Sequence, residues 1–402
     1  MTILVLNCGS SSIKYQLVEM VSASESTLLA KGLVDRIGQA EGDLKHKPEG
    51  KDSYSIHTPI ENHTVGINLV LEALTNPEHG VISSLDVIGA VGHRVAHGGE
   101  YFADSCLVDA KAKAQIKELI ALAPLHNPAN LQGIESVEEL MPSTPQVAVF
   151  DTSFHQTLPA ENFMYAIPRK YYEKYGVRKY GFHGTSHKYV AQVGAQMAGL
   201  DFENSKIVTC HVGNGGSVTA VLNGKSIDTS MGFSPLDGLI MGTRCGSIDA
   251  SVVTFIGEKE NLSYAEINSI LNKESGVLGM TNGFSSDMRD IDGAYHDGDK
   301  LAIVARDAYY LRIKKFIGEY AADMGGLDMI IFTGGCGENS DELRESVASN
   351  LEFMGVEFDS AANKGVRGTS KILSKADSRV KVAVIETNEE KVIARDTYRL
   401  CK

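Results

Sequence analysis

The sequence predicts a two-domain α/β fold made by internal duplication, and three observations lead there. The chain has 402 residues, more than one compact core usually serves. Apolar strand-like runs alternate along it with segments of helical period. A pattern near the N-terminus, VLNCGSSSIKYQLV (residues 5–18), returns in plan near the middle as HVGNGGSVTAVLNGKS (residues 211–226).

Each pattern reads as a buried strand, a tight corner and a second strand. Asn7 and Gly9 interrupt the first, and Gly213, Asn214, Gly215 and Gly216 the second, between runs of β-branched and aliphatic residues, the signal for a hairpin. Such corners turn backbone N–H groups outward, and glycine lets a phosphate come close to them. Ser10, Ser11, Ser12 and Ser217 add hydroxyl donors. Two such corners could hold a polyphosphate at both ends, which points to a phosphotransferase.

Further strands are expected at 87–91, 147–150, 207–212, 329–332 and 380–385, and helices at 110–123, 128–141, 186–200, 263–272 and 301–323. Residues 38–62 are polar and read as a surface hairpin or loop. No linker separates the halves, so the duplication places the boundary near Phe150. A third Gly-rich element, FTGGCGENSDELRESV (332–347), reads as a strand ending in Gly334, Gly335 and Gly337, after which Glu338, Asn339, Ser340 and Asp341 open a helix. That arrangement suits a nucleoside or phosphate at a helix N-terminus.

Competing motifs fail. A P-loop would need glycine at Thr219 ahead of Gly224-Lys225-Ser226, and a dinucleotide fingerprint would need it at Val218. DIDGAYHDGD (290–299) resembles a calcium loop but offers Asp299 where a glutamate is wanted, and is read as a surface loop. HRVAH (His93, His97) and HGTSH (His183, His187) have helical ligand spacing, yet neither shows the third ligand a zinc site needs.

The net charge of −13 argues against nucleic acid or an anionic membrane as partner, so any anion site must be local. No run approaches the roughly 20 apolar residues that span a bilayer, and the N-terminus enters a strand without a basic leader. Six cysteines without a CxxC pair fit reduced thiols in a cytoplasm. Arg94 and Arg244 are candidates for bidentate clamps on a carboxylate or phosphoryl group. Asp151 ends the strand VAVFD, where ligand-facing side chains collect in open α/β sheets.

Taken together, LVLNCGSSSIKY, GHRVAHGG, LAPLHNP, FDTSFHQTLP, YGFHGTSH, HVGNGGSV, DGLIMGTR, FTGGCGEN and TNEEKVIARD resemble the acetate kinases, of the acetate and sugar kinase, heat-shock ATPase and actin superfamily. The match runs in the family's order along the whole chain. It implies a duplicated actin-like (ribonuclease H-like) α/β fold with an interdomain ATP cleft. Residues 1–150 plus 388–402 would form one domain, and 151–387 the other, carrying most nucleotide contacts. It also implies reversible transfer of phosphoryl from ATP to acetate, giving acetyl phosphate and ADP, with Mg²⁺ (or Mn²⁺) as metal, in a homodimer.

By position, the resemblance puts Asn7 and Glu389 at the metal, and Lys14, Ser10 and Ser12 at the phosphates. Arg94 becomes the substrate arginine, Asp151 the essential aspartate, His183 the transition-state histidine, His126 a further active-site histidine and Arg244 the arginine at the transferring group. Segments His211, Val212, Gly213, Asn214 and Gly215, then Asp287, Met288 and Arg289, then Gly335, Cys336, Gly337, Glu338 and Asn339 become nucleotide-binding. Ala96, Leu125, Phe182 and Pro235 become the acyl pocket, beside Arg94.

A carboxylate acceptor is already ionised at neutral pH, so no general base is required. Asp151 is therefore expected to orient an arginine or a metal-bound water. The family commonly has valine where Ala96 stands, and the missing methyl groups open room for about one extra carbon, making propionate a second substrate or the preferred one. After Arg244 the family's Ser-Gly-Asp is replaced by Cys245-Gly246-Ser247, which removes a carboxylate near that arginine. A different class, an actin-like or heat-shock-like switch ATPase, would use the same corners but need a partner-binding segment that this chain does not spare.

Overall fold

The computed structural model describes residues 1–23 and 25–402. The chain divides into two units, Met1–Ser153 with Asn388–Lys402, and Phe154–Thr387.

The first unit is built on an eight-stranded sheet of β1 (Thr2–Cys8), β2 (Ser12–Met20), β3 (Ser26–Asp35), β4 (Gly42–Pro48), β5 (Tyr54–Thr58), β6 (Ile88–Val95), β7 (Cys106–Leu107) and β8 (Gln146–Phe150), in the order β5-β4-β3-β2-β1-β6-β8-β7. The second holds six strands, β9 (Lys206–Val212), β10 (Gly216–Leu222), β11 (Lys225–Thr229), β12 (Met329–Thr333), β13 (Lys371–Ile372) and β14 (Lys381–Val384), ordered β11-β10-β9-β12-β14-β13.

The duplication is explicit in the pairing. β3-β2-β1 and β11-β10-β9 are antiparallel, while β1-β6-β8 and β9-β12-β14 are parallel. This is the ribonuclease H-like order of actin-like folds. Residues 9–11 join the first hairpin and 213–215 the second.

Both sheets are covered on two faces, which is why their central strands read as near-continuous apolar runs. In the first unit Leu4 and Leu6 pack in one core with Ile67 and Val70 of the helix His63–Thr75, while Ile3 and Val5 pack with Ile393 and Ala394 of the helix Glu389–Cys401. In the second, Val208 and Cys210 share a core with Tyr309, Ile313 and Ile317 of the helix Lys300–Asp323. Ile207 and Ile331 lie on the other face with Val190 and Ala191 of the helix Gly184–Ala198. Gly194 lets that helix lie close to β12, since a Cβ there would sit 2.4 Å from the end of the Ile331 side chain and force it to shift.

Three local expectations need correction. Residues 290–299 are no loop: Met288–His296 is a helix, capped by Asp287 on the Arg289 N–H, and Met288 and Ile291 bury its inner face. The acidic spacing there marks two helix starts, because Asp299 caps the following helix. HRVAH lies on β6 and just beyond it, so its histidines have strand geometry. The glycines after β12 are themselves helical (Gly334–Asn339), and the next helix begins at Asp341 with Ser340 as its cap. Residues 38–62 form a β hairpin that extends the first sheet, with Leu44, His46 and Pro48 facing inward.

Candidate active site

In the first unit, neighbouring strand ends deliver the charged groups. Asn7 sits near the end of β1, Arg94 near the end of the adjacent parallel β6, and Asp151 directly after β8. These are the carboxyl ends of the strands, the place where open α/β sheets collect ligand-facing groups. Arg94 Nη2 donates to Asp151 Oδ2 at 2.5 Å and Nη1 to Asn7 Oδ1 at 3.3 Å, while its buried Nε has no partner among the described residues. Asp151 is 3 % exposed, and its negative charge holds the Arg94 guanidinium firmly cationic. Asp151 is thus in direct contact with an arginine.

Glu389 opens the C-terminal helix. Loss of hydration, together with the neighbouring Asp151 carboxylate, pushes its carboxyl up to about 7, against the pull of Arg94 and Lys14. Lys14 pairs with Asn7 across the first hairpin. Ser10 is exposed and Ser12 half-buried at the corner, where the Gly9 N–H donates to the Ser12 carbonyl. Ala96 is buried, and its N–H donates to Asn130 Oδ1. Leu125 is 73 % exposed and His126 exposed on the turn leading into the helix Asn127–Leu140.

In the second unit the corner 213–215 is closed by the Gly213 N–H donating to the Gly215 carbonyl. A Cβ on Gly215 would lie 3.2 Å from Arg244 Nη2, so glycine there lets the guanidinium lie over the corner. Arg244 donates to the Pro235 carbonyl at 2.7 Å and forms no ion pair with any described residue; burial lowers its pKa. Gly334, at φ +77°, has no room for a Cβ beside the Val212 backbone.

His183 caps the helix Gly184–Ala198 in a left-handed conformation (φ +57°) and stacks on His211 with ring centroids 4.3 Å apart. Its Nδ1 shares a hydrogen bond of 2.8 Å with Ser217 Oγ. Phe182, next to it, is buried against Met231 and Met241.

Asp287, Met288, Arg289, Cys336 and Asn339 line one cavity of about 770 Å³, of a size that suits a nucleoside. Gly335 lines it too, and its N lies 3.6 Å from where a Cβ on Gly213 would sit. Three sequence segments far apart in the chain thus meet. Arg289 holds the Asp287 carboxyl down at about 2. Glu338 differs: its Oε1 accepts from the N–H groups of Gly334 and Thr387 and from the Thr333 hydroxyl, so its side chain braces the turn.

The family model for the acetokinase family matches residues 2–395. The chain belongs to the acetokinase family. It is 52% identical to the acetate kinase of Alkaliphilus metalliredigens over 400 residues, with 100% of each chain covered. The acetate kinase of Caldanaerobacter subterraneus is 54% identical over 403 residues, covering 100% of this chain and 99% of that one. Among solved structures, Porphyromonas gingivalis acetate kinase superposes with TM-score 0.96 at 46% identity, all of both chains being covered. A propionate kinase from Francisella tularensis gives 0.90 at 41% identity, covering 99% of each.

Several supporting residues carried no sequence signal strong enough to find them. Asn127 and Asn130, one helical turn apart and buried, hold the segment after β6 through the N–H groups of His97 and Ala96. Arg344 is fully buried, forms no ion pair with any described residue, and donates to the carbonyls of Gly337, Glu338 and Val366 and to Asn363, fixing the Gly-rich helix. The carboxylate missing at Ser247 has a neighbour in Asp237, whose Oδ1 accepts from the Ser247 hydroxyl at 2.7 Å. An arginine in DELRESV and paired asparagines in LHNPAN were the available hints.

Proposed function

We propose that this chain catalyses reversible phosphoryl transfer from ATP to acetate, giving ADP and acetyl phosphate. The observation that carries the reading is the state of the two arginines. Arg94 is aligned by an aspartate that is thereby committed to it, while Arg244 is a half-buried cation with no anion of its own. An anionic acceptor and a phosphoryl group are what such donors suit. Nothing in the reaction asks for a base, since the acceptor carboxylate is ionised at neutral pH. Arg94 would hold the acceptor, and Arg244 and His183 would donate to the equatorial oxygens as charge builds on them during in-line transfer.

Asn7 and Glu389 would hold Mg²⁺, or Mn²⁺ in its place. Burial first, and then the carboxylates of Asp151 and Glu390, raise Glu389, and a bound cation would offset both. Among the described residues no cluster of three or more histidine, cysteine or acidic side chains could hold a metal, so phosphate oxygens and water would complete the shell, as is usual for magnesium. When bound, the ion would neutralise charge on the phosphates. The 770 Å³ cavity of the second unit would take the adenosine.

A homodimer is supported by apolar surface in the second unit. The helix Ala250–Glu260 buries none of its residues, with Phe255 60 % exposed, and Leu301, Val304 and Leu311 form an exposed stripe on the helix Lys300–Asp323. No described helix is long and apolar enough to cross a membrane, and the six free cysteines suit a reducing cytoplasm.

Propionate is the second reading, favoured by Ala96 and by the likeness to the Francisella propionate kinase. Trapping the acyl phosphate as hydroxamate, with ATP, Mg²⁺ and acetate, propionate or butyrate in parallel, tests both. We expect product with acetate, a kcat/KM for propionate within about tenfold of it, and little with butyrate. ATP consumption without hydroxamate from any acid would point instead to a switch ATPase.

A further inference from the structure

The HGTSH segment contributes a second histidine, His187, that the reaction above does not use. It is fully buried on the helix Gly184–Ala198 and lies between two hydroxyls. Its Nδ1 is 2.7 Å from Thr209 Oγ1 in β9, and its Nε2 is 2.7 Å from Ser217 Oγ in β10. Ser217 Oγ is in turn 2.8 Å from His183 Nδ1. Thr209 and Ser217 are both fully buried. Four side chains are therefore linked in sequence by three hydrogen bonds, Thr209, His187, Ser217, His183.

The hydrogens available fix its direction. Burial holds His187 neutral, well below the usual histidine range, so it carries one N–H and one lone pair. Ser217 has a single hydrogen for two imidazole nitrogens. If the chain ran from His183 towards Thr209, the Thr209 hydroxyl would accept from His187, and its own hydrogen would be buried with no acceptor, because His187 is its only hydrogen-bond partner among the described residues. A buried donor left unmade is disfavoured. In the opposite direction every hydrogen is used: Thr209 donates to His187 Nδ1, His187 Nε2–H donates to Ser217, and the Ser217 hydroxyl donates to His183 Nδ1. Cooperative polarisation reinforces such a chain.

We infer that Thr209, His187 and Ser217 are positioning residues that hold His183 as a neutral imidazole with its hydrogen on Nε2. The inference rests on the proposed function for its purpose. An Nε2–H donor that needs no proton uptake can serve the transferring phosphoryl group, and a neutral ring loses no proton to the product. The local frame is rigid enough to keep the alignment, since His183 is stacked on His211, whose Nδ1 is tied to Ser186 Oγ at 2.8 Å. His155 packs edge-on against His187 with its own two nitrogens bonded to Ser226 Oγ and the Phe182 carbonyl.

The test is the side-chain ¹⁵N spectrum of the full-length protein labelled at histidine, at pH 7.5, with the His183 signals assigned by their loss in His183→Gln. We expect a protonated Nε2 and an unprotonated Nδ1. Thr209→Val keeps the shape and removes the hydroxyl, and should shift both His183 nitrogens towards values averaged over two tautomers, with kcat lowered about tenfold. Thr209→Ser should restore the wild-type pattern and kcat. A proton on Nδ1 in the wild type, or on both nitrogens, overturns the inference, as does a Thr209→Val spectrum identical to the wild type. If Thr209→Val does not fold, the wild-type spectrum decides alone. The expected tautomer in a protein that makes no acetyl phosphate would leave the relay standing and remove the proposed function.

Discussion

The two units share a sheet order and differ in what they put at the strand ends. In the first, the ends of β1, β6 and β8 carry Asn7, Arg94 and Asp151, a charged cluster with Glu389 close by. In the second, the ends of β9 and β12 and the segment after β14 carry His211, Thr333 and Thr387, joined through the Ser186 hydroxyl and the Glu338 carboxylate. Ser186 Oγ bridges His211 and Thr387, and Glu338 gathers Thr333 and Thr387. One scaffold thus puts an arginine–aspartate pair at the strand ends of one copy, and hydroxyls and an imidazole at those of the other. Arg244, which pairs with no acid among the described residues, comes from a loop instead of a strand end.

Substitutions can break this contrast. The largest effect is expected from Arg94→Ala, which removes the acceptor's counter-charge and leaves Asp151 buried without its partner. Steady-state kinetics should show kcat/KM for acetate reduced on the order of 10³-fold, and thermal unfolding should show a loss of roughly 3 kcal/mol. Arg244→Ala should lower kcat by about 10²-fold while the melting temperature stays unchanged, because the residue gives the fold one bond to a carbonyl. An unchanged kcat would remove Arg244 from the chemistry.

Acid should destabilise both copies. Burial holds His93, His97 and His155 down at about 4, against about 6.5 in the unfolded chain. Below 6.5 the unfolded state takes up protons that the folded state refuses, so stability is present above that pH and is lost as pH falls towards 4. At pH 5 each such histidine costs about 2 kcal/mol, and the urea midpoint should fall well below its value at pH 7.5. Equal midpoints would mean these rings are protonated in the native state. The smallest effect is expected from Ala96→Val: competition assays should show the propionate to acetate ratio of kcat/KM falling by about tenfold, worth about 1.4 kcal/mol.

Much of the fold was legible because both sheets are buried on two faces, so strands such as ILVL and MIIF announce themselves by composition. The two corners were legible because glycine and asparagine must interrupt those runs. What stayed hidden depends on pairs distant in sequence. Thr209 is one β-branched residue among many in a strand, and only the placement of His187 beside it gives its hydroxyl a task. Arg344 reads as a solvated helix charge until three carbonyls are found around it. Residues 290–299 read as a surface loop because they are polar and acidic, and only the structure shows a short helix there with Asp299 capping the next one.

The first unit's chemistry turns on whether Asp151 acts through Arg94 or on its own. A double-mutant cycle of Arg94→Ala and Asp151→Ala, read as kcat/KM for acetate, measures this directly. If the aspartate serves only to align the arginine, the double variant should be no worse than Arg94→Ala alone, with a coupling of about 2 kcal/mol or more. Fully additive losses would show an independent task for Asp151, such as proton abstraction, and would contradict the base-free transfer described above.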